Sequence, residues 1–177
     1  MKGAPLETIP LGRRPLDIAI IGFFIFNAVF ITYFFDLEQV VIPNTAHFTY
    51  PLWPPRFLVD LAHWWGKHYD PLLYARPVWW RATIWIDVLL FGPFYFVAIW
   101  AFAKGKNWIR LPGIIYSAVM LTNVTIILSE EIGGPYATPN LPSVVGANAS
   151  WIIFPLLIIW RLWGTDCPFS KKKSAVP

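Results

Sequence analysis

An all-α, polytopic membrane protein with a bundle of four transmembrane helices is the fold class this chain predicts. Of its 177 residues 56% are hydrophobic and 18% aromatic. The mean hydropathy is +0.52. The apolar residues gather into four runs, Ile18–Phe35, Ala82–Ala103, Leu111–Ser129 and Val144–Trp160. Each run is close to the roughly 20 residues a helix needs to cross a bilayer. A soluble domain of this size has no use for so much apolar surface, so one membrane domain built helix on helix is expected.

The flanks come first. Residues 1–13 read as a cytoplasmic N-terminal segment carrying Lys2 and Arg13. No small-residue cleavage site follows the first run, so that run reads as a retained span rather than a signal peptide. Residues 14–164 form the transmembrane domain, and 165–177 a cytoplasmic basic tail holding Lys171–Lys173, with no retrieval signal in its last residues. The net charge of +4 lies in these flanks and connections. It reads as topology information, and no nucleic-acid partner is expected.

Lys and Arg precede the first run, recur between the second and third (Lys104, Lys106, Arg110) and follow the fourth (Arg161). The connection between the third and fourth, 130–143, has none. The positive-inside rule then puts both termini in the cytoplasm. The long first connection, 37–81, also holds basic residues, but long loops weigh little in that rule. It is too long for a bare loop. Pro51, Pro54 and Pro55 mark a turn, and residues 57–66 read as a short amphipathic helix lying on the membrane surface as a lid. Trp53, Trp64, Trp65, Trp79 and Trp80 suit the headgroup boundary.

Polar residues mark one layer of the bundle. Asp36 closes the first run and Asp87 lies inside the second, about 9 Å deep at roughly 1.5 Å per residue. Asn123 and Glu130 belong to the third, with Glu131 beside it, and Asn148 opens the fourth. Thr32 and Asp36 share a helix face at i,i+4, as do Thr83 and Asp87. Asn148 and Trp151 share one at i,i+3, and Asn123 and Glu130 at i,i+7. Carboxylates near hydrocarbon are costly, which makes this layer the candidate site. With no Lys or Arg beside them in the spans, Asp36 and Asp87 suit a shared proton. Such a pair can bind a cationic ligand, donate and accept protons, or lock helices together. Pro93 and Pro155 remove helix hydrogen bonds just below the layer and can open a cavity there. Asp70, before Pro71, reads as a structural cap or turn residue. Cys167 is the one cysteine, so no internal disulfide or cysteine metal site can form. His47, His63 and His68 lack a zinc ligand set. No metal or cofactor is expected.

Four further runs carry a family likeness. They are Phe34-Phe35-Asp36-Leu37 with Ile42-Pro43, then Tyr69-Asp70-Pro71-Leu72-Leu73, then Asp87 ahead of Gly92-Pro93, and last Lys106-Asn107-Trp108-Ile109-Arg110 with Pro112 and Ile114-Ile115-Tyr116-Ser117. In this order and spacing they resemble the EXPERA-domain family, and within it the sigma-2 receptor branch. The resemblance implies a four-helix membrane protein of the endoplasmic reticulum, a homodimer, and a cavity open sideways to lipid. It implies sterols or other small lipids and cationic amphiphiles as ligands, with a part in sterol homeostasis or trafficking. Asp36 would pair with a ligand amine, Asp87 (a glutamate in that branch) would hydrogen-bond Asp36, and Asp70 would be structural. Thr32, Asn123, Glu130, Asn148 and Trp151 would join the ligand site. The sister branch, the emopamil-binding protein, isomerises sterols through a carbocation. Asn148-Ala149-Ser150-Trp151 resembles that branch, but its first-span His and Glu stand here as Ala28 and Thr32, and its second-span Glu falls near Ile84. The alternative it leaves open is a lipid or sterol isomerase or cyclase using Asp87, Asp36 and Asn148. A third reading makes the layer helix glue in a partner of a larger membrane protein.

Overall fold

The computed structural model describes residues 6–173. Lys2 and the end of the basic tail, which figured in the topology and retrieval-signal readings, lie outside the described residues. Four helices are long and apolar enough to span a membrane: α1 (Pro15–Val41), α4 (Val78–Lys104), α5 (Asn107–Gly133) and α6 (Leu141–Trp163). Between α1 and α4 lie α2 (Arg56–His68) and the short α3 (Pro71–Ala75). The only sheet among the described residues pairs β1 (Leu6–Thr8) with β2 (Ser170–Lys172), antiparallel. The protein is an integral membrane protein of the expected all-α class.

α1 starts at Pro15, whose missing N–H costs nothing in a first turn. It is α-helical to Phe26, π-helical over Asn27–Asp36, and α-helical again over Leu37–Val41. The first span was expected to end at Asp36. It does not, because the polar residues beyond it find partners inside the protein. Glu38 Oε2 accepts from Arg76 Nη2 at 2.6 Å, and Gln39 Oε1 accepts from Trp80 Nε1 at 2.6 Å. Charge in a sequence marks a helix end only when water is the sole available partner.

α2 buries Leu58, Val59, Ala62, His63 and Gly66 and exposes Arg56, Asp60 and Lys67. Gly66 lets α2 press onto α3, since a Cβ there would stand 3.0 Å from the Tyr74 Cβ. Asp70 caps α3, its Oδ1 accepting from Leu73 N at 2.7 Å. α4 carries a second π-helical stretch, Asp87–Phe91, just ahead of Pro93. Trp80 was expected at the headgroup boundary. It is buried against protein, held by Gln39.

The helices pair as α1 with α4 and α5 with α6. Gly113 permits the second pairing: a Cβ there would lie 2.8 Å from Leu162 Cδ1. Aromatic packing fills the half of the bundle nearer the termini. Phe24, fully buried, meets the rings of Tyr95, Phe102 and Tyr116 at centroid distances of 5.8, 5.8 and 5.7 Å. At that end the described residues of both flanks bond to each other and to the spans. Ile9 N donates to Phe169 O at 2.8 Å. Asp17, fully buried, accepts from both Arg14 Nη1 and Arg161 Nε at 2.8 Å. A carboxylate with two guanidinium partners satisfies what burial would otherwise penalise.

Candidate functional site

A cavity of about 390 Å³ occupies the half of the bundle away from the termini, within the range of small-molecule sites. All four spans and the α2–α3 segment line it. Its walls are mainly apolar, and Asp36, Asp87, Asp70, Gln39, Thr83, Asn123 and Asn148 supply polar groups.

The two π-helical stretches build its acidic pole. A π turn holds more than four residues, so each widened stretch re-aims its side chains relative to a plain α-helix. Gly92 lets the stretches touch, since a Cβ there would lie 2.9 Å from Thr32 Cγ2. Thr32, fully buried, donates to Asp87 Oδ1 at 2.5 Å. Tyr95 donates to Asp87 Oδ2 at 3.4 Å. The Asp36 carboxyl lies within hydrogen-bonding reach of Asp87. Among the described residues neither carboxyl belongs to an ion pair.

Other predicted residues land in different places. Thr32 stands behind Asp87 rather than on the cavity wall. Asn123, Asn148 and Trp151 line the cavity; Asn148 Nδ2 donates within its own helix to Val144 O. Glu130 does not line it. Its Oε1 accepts instead from Tyr136 N at 2.9 Å, closing the turn after α5. The neighbouring Glu131 is the buried acid, 1% exposed, and sits beside Asp70 at the cavity edge. The stripe of Val124, Ile127 and Glu131 at i, i+3 and i+7 is the signal that could have found it. Asp70 is thus both a cap and a cavity group. Burial, its largest influence, raises its pKa above the ordinary carboxylate value, against hydrogen bonds from Glu131, Leu73 and Trp65.

Sequence reasoning also missed the cluster that holds α2 and α3 to the top of α1. Glu38, 1% exposed, takes Arg76 on one oxygen and His63 Nε2 at 3.0 Å on the other. Arg76 also donates to Ile42 O. Burial lowers the His63 pKa below its ordinary 6.5, against the attraction of Glu38. It also lowers that of Arg76, which Glu38 again opposes. This cluster fixes the α2–α3 segment that carries Leu61, Trp65, Asp70 and Leu73 to the cavity. The expected surface lid is therefore part of the cavity wall.

The family model described as EXPERA (EXPanded EBP superfamily) matches residues 57–162. A human protein, sigma intracellular receptor 2, is 36% identical over 93% of this chain and 97% of its own length. The chain belongs to the EXPERA family. The sigma intracellular receptor 2 of Macaca fascicularis is 35% identical over 68% of this chain and 65% of that protein. That in Xenopus tropicalis is 29% identical over 77% and 82%. The EXPERA match takes in α2, α3 and the last three spans, with Asp70, Asp87, Asn123, Glu131, Asn148 and Trp151. α1, with Thr32 and Asp36, precedes it.

Proposed function

We propose that this EXPERA protein binds sterols or other small lipids and cationic amphiphiles in its acidic cavity, in the manner of a sigma-2-type receptor, and serves sterol homeostasis or trafficking. One observation carries the reading: an apolar-walled cavity whose polar pole is two carboxyls without a cation. A hydrogen bond between those carboxyls needs one proton, and two charges so close cannot both persist cheaply. An entering ammonium group supplies the missing positive charge. Asp36 is the ionic anchor, Asp87 its proton-sharing partner, and Asn123, Asn148 and Trp151 line the pocket. The family likeness supports residence in the endoplasmic reticulum as a homodimer, and the charge pattern supports cytoplasmic termini.

The test is binding of a radiolabelled cationic amphiphile to purified protein. Asp36→Asn is expected to lower affinity by about 10-fold or more, roughly 1.4 kcal/mol, while affinity for an uncharged isostere holds. Equal affinity of both proteins for the cation would overturn the assignment.

A second reading rests on a specific placement. Asn148 and Trp151 share the cavity with Asp87, so an acid, an amide and an indole face surround one space. That set suits protonation of an alkene and stabilisation of the resulting carbocation, as in a lipid isomerase or cyclase. Incubation with a Δ8 sterol and mass-coupled gas chromatography decides it. A double-bond-shifted product that Asp87→Asn fails to form makes the protein an enzyme; unchanged sterol retained by the protein favours the binder.

A further inference from the structure

Each span contributes one deepest residue to the cavity, counted toward the termini: Phe30 from α1, Phe91 from α4, Met120 from α5 and Trp151 from α6. These four form the floor. Phe30, Phe91 and Met120 carry no strong hydrogen-bonding group. Trp151 has a polar handle, and the handle is tied. Its Nε1 donates to Asn27 Oδ1 at 2.7 Å. Asn27 is fully buried in α1, where an amide is costly unless paired. Its Nδ2 donates to Phe23 O at 2.8 Å, so the carboxamide cannot turn and its oxygen points at the indole. Immediately below, Phe23 and Phe154 stack with centroids 4.4 Å apart and planes 5° from parallel. Asn27 is also the first residue of the π-helical stretch.

We propose that Asn27 is a positioning residue: it pins the Trp151 indole as a fixed floor and so sets the longest apolar tail the cavity accepts beneath the carboxyl pair. The inference rests on the binding reading above. With the tie present, methylenes beyond the limit find no room. Without it, the indole is free to swing about its side-chain torsions and the floor gives way. The amide orientation is set by the two bonds, as neither is satisfied by the flipped arrangement.

The experiment uses the full chain in lipid nanodiscs and a ladder of N,N-dimethylalkylamines from octyl to hexadecyl. Binding by Asp36→Asn protein is subtracted at each length to remove partition into lipid. Affinity of the unsubstituted protein is expected to rise about 4-fold per buried methylene and then stop. In Asn27→Leu and in Trp151→Phe the stop moves to longer tails, and the double variant moves it no further than either single one. Asn27→Asp, which keeps an acceptor for the indole, restores the original limit. In parallel, the Trp151 indole N–H resonance, assigned by its loss in Trp151→Phe, is expected to shift upfield in Asn27→Leu. An unchanged tail limit in folded Asn27→Leu, or additive effects in the double variant, would overturn the proposal. If the unsubstituted protein binds no amine above the Asp36→Asn background, the binding reading itself falls and the selectivity role with it. The indole resonance then reports the tie alone, so the two failures are told apart.

Discussion

Thr32 of α1 and Asp87 of α4 are joined by a 2.5 Å hydrogen bond between two π-helical stretches. The bond lies inside the bundle and behind the cavity wall, so it holds Asp87 without occupying ligand space. Thr32→Val keeps the shape and deletes the donor. It is expected to cost about 1–3 kcal/mol, the penalty for an unsatisfied buried acceptor. A lowered melting temperature in detergent, together with weaker binding of a cationic amphiphile, checks it. An unchanged melting temperature would show that the bond does not contribute.

The contact between these stretches depends on the absence of a side chain at Gly92. Gly92→Ala places a methyl against Thr32 Cγ2, and overpacking of this kind costs about 1–3 kcal/mol. Gly22→Ala, where nothing lies within 4 Å of the added Cβ, is expected to be near neutral. Thermal unfolding of the two variants side by side tests the contact, and equal losses would count against it.

Glu38 depends on Arg76 across the top of α1. Arg76→Leu leaves a buried carboxylate without its guanidinium, a loss of about 3–5 kcal/mol. Glu38→Gln with Arg76→Leu removes both charges and is expected to recover part of it. Proteolysis within residues 43–77 reads the release of α2 and α3 directly. Equal protease resistance in all three proteins would contradict the assignment.

His63 makes that same cluster sensitive to acid. Its folded pKa lies below the ordinary 6.5, so the unfolded chain takes up the proton first. The stability it contributes is complete above pH 6.5 and is lost as pH falls from there through the folded value. Melting temperature is therefore expected to drop on the acid side of 6.5, and to drop less steeply in His63→Gln. Identical slopes in the two proteins would remove His63 from the account.

Several features were legible in the sequence because they are local sums. Long apolar runs announce the four spans wherever the helices finally pack. Asp36, Asp87, Asn123 and Asn148 could be placed in one layer from depth alone, since helical rise fixes depth, and Trp151 followed from the helix face it shares with Asn148. Glu130 misled for the same reason: depth was right, but helical phase puts Glu131 inward. Asp70 was readable as a cap from the proline that follows it, but not as a cavity group. The continuation of α1 past Asp36 was hidden because a charged residue at a span end looks like an exit into water unless its partner is known.

The amino-acid sequence by itself determined the membrane class, the number of spans, and the depth of the polar layer, because hydrophobicity and helical rise are properties of neighbouring residues. Only the tertiary structure decided which polar groups meet. Glu38 with Arg76, Gln39 with Trp80, Asn27 with Trp151, Asp17 with Arg161, and the pairing of β1 with β2 each join residues far apart along the chain. A buried polar group accepts whichever partner the packed helices bring within reach, and that geometry exists only once the bundle has formed.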